Sequence, residues 1–118
     1  MRVILARHAL TDWNVEGRIQ GQSGVGLNET GRTQARELAG LIARLSVDRI
    51  VSSDLSRAAE TAEIGSELLK VPLSFDPRLR ECSFGSLEGK LKVEILSILG
   101  NPWPKDYEPY NFREFGGE

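Results

Sequence analysis

The chain has 118 residues, 40 % apolar and 27 % charged, with a net charge of −2, enough for one small globular domain with a buried core. No strongly basic stretch recommends nucleic acid or an anionic membrane as a partner, and no apolar run approaches the ~20 residues that cross a bilayer. The single cysteine, Cys82, rules out an internal disulfide and fits a reducing compartment.

In chain order, Val3-Ile4-Leu5-Ala6 is a short continuous apolar run that reads as a buried, parallel strand. It is too short for a signal-peptide core and Arg7 follows at once, so the expected location is the cytoplasm. Residues 8–27 are polar and include Gly17, Gly21, Gly24 and Gly26, which reads as a long loop of the kind that often carries function. Asn28 is a good N-cap with Glu29 in the first turn, and Ala35, Leu38, Ala39, Ile42 and Leu45 then recur at helical spacing.

Ile50-Val51 is a second strand, followed by Ser52, Ser53 and Asp54, and Asp54 is placed to cap a helix with Ala58, Ala62, Gly65 and Leu69 on one face. Pro72 closes that helix, and residues 73–75 are a third strand. Residues 90–99 suggest a short helix stopped by Gly100-Asn101-Pro102, and residues 101–118, with Pro102, Pro104 and Pro109, read as an irregular loop or tail. Strand, helix, strand, helix, strand is the α/β pattern with a mostly parallel sheet. One domain over residues 1–118 is expected.

Ligands of open α/β sheets bind at the carboxyl ends of the strands. Arg7 and His8 follow the first strand, Ser52, Ser53, Asp54 and Arg57 the second, and Arg80 and Glu81 the third. A guanidinium offers a planar fork of donors suited to phosphate, and a helix start beside Arg57 adds positive potential. Singly, each residue has a plainer reading. Arg57 is a solvated helix-start arginine or a partner of Asp54, and Glu81 an exposed carboxylate. Asn14 and Gln20 are turn residues, Trp13 a loop anchor, and Cys82 a small half-buried side chain. Only their convergence suggests a site. The stretch from Gly85 to Gly89-Lys90 looks like a phosphate loop, but its glycines are one residue too close and Leu91 stands where Ser or Thr is required.

The run Ala6-Arg7-His8-Ala9-Leu10-Thr11-Asp12-Trp13-Asn14 resembles the signature of the histidine phosphatase superfamily, which includes the cofactor-dependent phosphoglycerate mutases. Gly17-Arg18-Ile19-Gln20-Gly21 and Leu27-Asn28-Glu29-Thr30-Gly31 look like its next landmarks. Ser52-Ser53-Asp54-Leu55-Ser56-Arg57-Ala58 with Thr61-Ala62 is similar to its second signature, and Arg80-Glu81 with Phe84-Gly85 and Glu88-Gly89 to its third.

The resemblance implies a phosphoglycerate mutase-like three-layer α/β fold with a mostly parallel sheet. It implies His8 as the nucleophile that forms a phosphohistidine, and Glu81 as the acid that protonates the leaving oxygen and then activates water. Arg7 and Arg57 would hold the phosphoryl oxygens, assisted by Asn14 and Gln20. No metal or cofactor is implied. The Gly-Arg-Ile-Gln-Gly stretch looks more like the small phosphatases, such as α-ribazole or broad-specificity phosphatases, than the mutases. The implied activity is hydrolysis of the phosphate monoester of a small metabolite. A phosphoglycerate-type phosphomutase and a non-catalytic phosphate-binding or interaction module are the alternatives, and without the family's second pocket histidine the chain is expected to be weak or inactive.

The sequence departs from the family pattern in places. Ala9 replaces the usual glycine, Leu10 the usual acidic residue, and Gly24 and Gly26 stand where Asp and Pro are common, which should loosen that loop. Members carry a second histidine on a late strand, whereas this chain has one histidine in all. The chain therefore resembles roughly the first half to two-thirds of a member, incomplete at the C-terminal side. The late strand normally lies between the first two. Those two should then pair directly, leave an open edge or borrow a strand, and a homodimer through the exposed sheet edge is the expected assembly.

Overall fold

Asn28, in extended conformation, accepts the N–H of Gly31 on its side-chain oxygen at 2.8 Å and so starts a helix where the sequence predicts one. The structure, a computed structural model, describes residues 1–99 and 112–118. Its regular elements are α1 (Asp12–Glu16), α2 (Glu29–Ile42), β1 (Ile50–Ser52), α3 (Ser56–Leu69), β2 (Leu73–Phe75) and α4 (Lys92–Leu99), with short 3₁₀ turns between them. They fall into two compact units that alternate along the chain, Met1–Thr11 with Gly24–Arg80, and Asp12–Ser23 with Glu81–Glu118.

The first unit is a small α/β structure. α2 buries Gly31, Ala35 and Ala39, and α3 buries Arg57, Ala62 and Gly65. Small side chains at helical spacing on both faces let the two helices pack closely. At Gly65 a Cβ would stand 3.4 Å from Ile50 Cδ1, an ordinary contact between α3 and β1. β1 and β2 pair in parallel, Ile50 against Leu73 and Ser52 against Phe75. The Ile50 N–H donates to the Pro72 carbonyl at 2.9 Å, and the Asp76 N–H to the Ser52 carbonyl at 2.8 Å. Alternation along a parallel ladder then turns the backbone groups of Val51 to the opposite edge. That edge is open among the described residues, because the sheet has two strands.

Two expectations need correction. The run Val3-Ile4-Leu5-Ala6 is not a strand: it is paired to nothing in the sheet, with Val3 68 % and Leu5 92 % exposed. A strand exists only through a neighbour that takes its N–H and C=O groups, and β1 pairs with β2 instead. Asp54 does not cap α3. The N-cap residue is Leu55, without a side-chain cap, while Ser53 Oγ accepts the Leu55 N–H at 3.2 Å. Asp54 forms a two-pronged ion pair with Arg80, Nε to Oδ1 at 2.6 Å. α3 ends at Leu69, as expected just ahead of Pro72. Lys70 turns left-handed at φ 56°, and Ser66 Oγ donates to the Val71 carbonyl at 2.7 Å.

In the second unit, Ile19, Leu87, Ile95 and Phe112 form the buried core, with Phe84 and Phe115 packed against it. The rings of Phe84 and Phe112 meet edge to face, centroids 4.6 Å apart. The loop from Gly17 runs antiparallel to residues 89–92. Ile19 N–H donates to the Lys90 carbonyl at 3.0 Å, Gly89 N–H to that of Ile19 at 2.8 Å, and Lys92 N–H to that of Gly17 at 2.9 Å. Within the stretch predicted as loop, α1 is a single short helix whose brief pattern gives no periodic signal. α4 starts two residues later than expected, where Glu94 accepts the Leu91 N–H at 2.8 Å. Residues 100–111, most of the predicted tail, lie outside the described residues, and Arg113–Phe115 form a 3₁₀ turn. Among the described residues no helix is long and apolar enough to cross a membrane.

Candidate active site

His8 sits half-buried in the segment between the exposed N-terminal run and α1. Its Nδ1 lies 2.7 Å from the backbone carbonyl of Ala9. A carbonyl only accepts, so Nδ1 carries the proton, and in the neutral ring Nε2 is the unprotonated nitrogen. A lone pair at Nε2 is what an attack on phosphorus requires.

The next residue ties His8 to α3. The Ala9 N–H donates to Thr61 Oγ1 at 3.0 Å, and the Thr61 hydroxyl donates to the Arg57 carbonyl at 2.7 Å. Thr61 stands one turn after Arg57 on the same helix. Arg57 is 3 % exposed, so the reading of it as a solvated helix-start residue is corrected, as is the pairing with Asp54, whose ion pair goes to Arg80. Arg7 is exposed. Arg7 and His8 are among the residues that line a groove of about 190 Å³, together with Ile50, Val51, Ser52, Ala39 and Ala62. Arg7, His8 and Arg57 all belong to the first unit, and Arg7 and His8 share that groove.

Asn14, Gln20 and Glu81 belong to the second unit. Asn14 lies on α1, and its carbonyl accepts the Gly17 N–H at 3.3 Å. Gln20 is 9 % exposed, and its carbonyl accepts the Ser23 N–H at 2.9 Å. Glu81 is exposed, and its Oε1 accepts the Cys82 N–H at 3.1 Å. The half-buried Cys82 thiol is pushed up to about 11, first by burial and then by the negative charge of Glu81 and Glu118. Trp13 is the anchor expected of it: a Cβ on Gly89 would stand 3.1 Å from its ring.

Gln34 and Glu60 are supporting residues that gave no signal in the sequence. Gln34 Oε1 accepts the Leu10 N–H at 3.1 Å from the second turn of α2. Glu60 Oε1 accepts the Leu27 N–H at 3.0 Å while Oε2 holds Arg32 Nε at 2.7 Å. Glu60 thus ties down the end of the loop that Gly24 and Gly26 were expected to loosen. In the second unit, Glu88 Oε1 accepts the N–H groups of Gln22 at 2.9 Å and Phe84 at 3.1 Å. These bonds join side chains to backbone far away in the chain or within a turn, and spacing does not reveal such partners. Of the residues that support the two units, Thr61 and Glu88 were marked, as parts of the second and third motifs. Among the described residues no group of three or more metal-ligating side chains is gathered.

Comparison with known proteins bears on this arrangement. The model of the histidine phosphatase superfamily (branch 1) matches residues 3–118. Over 103 residues the chain is 44 % identical to a probable phosphoglycerate mutase GpmB of Escherichia coli O139:H28, covering 87 % of this chain and 47 % of that protein. Over 105 residues it is 39 % identical to the protein of the same name from Proteus mirabilis, covering 89 % and 48 %. The chain spans about half the length of the curated relatives it matches. Among solved structures, it is similar to a mycobacterial glucosyl-3-phosphoglycerate phosphatase in complex with VO3, with 40 % identity, TM-score 0.74, and 77 % of this chain and 44 % of that one covered. It is also similar to a phosphoserine phosphatase from Entamoeba histolytica in complex with 3-phosphoglyceric acid, with 34 % identity, TM-score 0.68, and coverage of 75 % and 43 %.

Proposed function

The chain belongs to the histidine phosphatase superfamily, and from that premise we propose that it contributes the nucleophile and phosphate-binding half of a phosphate monoester hydrolase working through a phosphohistidine on His8. The observation that carries this reading is the 2.7 Å approach of His8 Nδ1 to the Ala9 carbonyl, which favours the lone pair on Nε2, in a segment tied through Ala9 and Thr61 to the backbone of the helix that carries Arg57.

In the proposed reaction, Nε2 attacks phosphorus as the ester P–O bond breaks. Arg7 and Arg57 hold the non-bridging oxygens and offset the charge that develops on them. Asn14 and Gln20 assist. Glu81 gives a proton to the leaving oxygen, then takes one from the water that attacks the phosphohistidine, releasing inorganic phosphate and restoring His8. The substrate class is a small phosphorylated metabolite. Relatives named for glucosyl-3-phosphoglycerate, phosphoserine and phosphoglycerate chemistry support a compact phosphorylated acid or sugar acid. The names of the curated relatives also support a second reading, a phosphomutase, in which a second substrate hydroxyl replaces water as the acceptor.

One experiment tests the first step. Because the chain has a single histidine, a phosphohistidine trapped with a reactive phosphate ester, acid-labile and base-stable, can only be on His8. Labelling that vanishes in His8→Asn is the expected result. Phosphate binding without labelling would leave only a non-catalytic binding module. If labelling occurs, release of phosphate to water separates the hydrolase from the mutase.

A further inference from the structure

Three consecutive peptide groups after His8 are pinned, each by a different partner. The N–H of Ala9 is held by Thr61 Oγ1 at 3.0 Å, and the N–H of Leu10 by Gln34 Oε1 at 3.1 Å. The carbonyl of Leu10 accepts the Asn28 N–H at 3.1 Å. The middle peptide is different in kind, because its carbonyl, that of Ala9, is the one 2.7 Å from His8 Nδ1. A peptide is a rigid plate with its C=O and N–H pointing opposite ways. Holding the Leu10 N–H therefore aims the Ala9 oxygen.

We propose that Gln34 is a positioning residue for His8: through the Ala9–Leu10 peptide it holds the carbonyl that keeps the proton on Nδ1 and the attacking lone pair on Nε2. The role rests on the reading of His8 as the nucleophile. The chemistry suits the position. An amide oxygen is a neutral acceptor, so it orients the peptide without placing a charge beside a phosphate site. The side chain also stands apart from the packing of its helix. Gln34 is exposed, while its neighbours Ala35 and Ala39 make the buried face of α2. Losing its acceptor should leave the fold intact and release the plate.

The single histidine makes the test direct, since one imidazole gives one pair of ring-nitrogen signals. In ¹⁵N-histidine-labelled protein, above the imidazole's own titration and without substrate, the wild type should show a protonated Nδ1 and an unprotonated Nε2. Gln34→Met keeps the length and removes the acceptor. Its Nδ1–H population should fall toward the mixture of an unconstrained imidazole, in which Nε2–H dominates, with the unfolding midpoint unchanged. Gln34→Glu restores an acceptor and should restore the wild-type tautomer. A wild-type tautomer in Gln34→Met overturns the proposal, and so does loss of the tautomer in Gln34→Glu. No turnover enters the measurement. If His8 were never phosphorylated, the nucleophile reading would fail in the labelling experiment while the tautomer result stood by itself.

Discussion

Gly31, in the first turn of α2, lies directly against the peptide of Leu10: a Cβ there would overlap the Leu10 carbonyl oxygen and stand 3.0 Å from its carbonyl carbon and nitrogen. Backbone on both sides cannot swing aside as a side chain would. Gly31→Ala should therefore push the His8–Leu10 segment off its seat and cost about 1–3 kcal/mol. Gly40, in the same helix, is the control: a Cβ added there would meet nothing within 4 Å, and Gly40→Ala should stabilise by about 0.5–1 kcal/mol. Urea unfolding of both variants checks the pair. Equal and favourable shifts would show that the Leu10 contact gives way freely.

Arg57 is buried while carrying a full charge, and the proposed function assigns it the phosphoryl oxygens. Arg57→Lys keeps the charge and loses the planar fork. Inorganic phosphate, followed by titration calorimetry, should bind about tenfold more weakly or worse, in line with the loss of a charge-assisted bond. An unchanged Kd would remove Arg57 from the anion site.

Acid stability should depend on two aspartates. Hydrogen bonding from Arg78, by side chain and then backbone, lowers Asp76 to about 2, and Arg80 lowers Asp54 in the same direction. Both carboxylates are thus more acidic folded than unfolded. Their stabilisation is present above the ordinary carboxylate pKa near 4 and disappears as pH falls through the folded values. Asp76→Asn should flatten the stability profile between about pH 4 and 2. Melting curves of wild type and variant across that range make the check, and parallel profiles would contradict it. Both pairs are solvent-facing, so added salt should shrink the difference.

Cys82 should be a slow thiol. Burial and the neighbouring carboxylates raise it to about 11, so at pH 8 the thiolate fraction is far below that of a free cysteine near 8.5. Alkylation should be correspondingly slower in folded protein than in urea, and should speed up as pH approaches the raised value. Because the folded state holds this proton more tightly, stability should also fall as pH rises above about 8.5. Rapid labelling of folded protein at pH 8 would contradict the assignment.

What could be read from the sequence and what could not divide along physical lines. Asn28 announced its helix because capping is local, set within three residues. Ala35, Ala39, Ala62 and Gly65 announced the packing of α2 on α3 because helical periodicity is written in spacing. The motif residues His8 and Arg57 were legible as types, but their connection was not. It runs through an Ala9 backbone bond to Thr61, 52 positions away. The run at Val3 misled because its composition is that of a strand, whereas strandhood depends on a partner. Asp54 misled for the converse reason: it has the side chain of a cap, and a competing guanidinium 26 positions later took it.

The alternation of the two units along the chain sets an order of events. The second unit is made of Asp12–Ser23 and Glu81–Glu118, separated by the whole of Gly24–Arg80. Closing a loop of that length in an unfolded chain costs several times thermal energy before any contact between the two pieces is gained. The first unit's 24–80 stretch folds on nearer contacts and, once formed, fixes the distance between its own two ends. Folding should therefore run in sequence, with protection from amide exchange appearing on α2 and α3 before it appears around Ile19 and Leu87. A nick inside residues 24–80 would then disable a core in which none of those residues takes part.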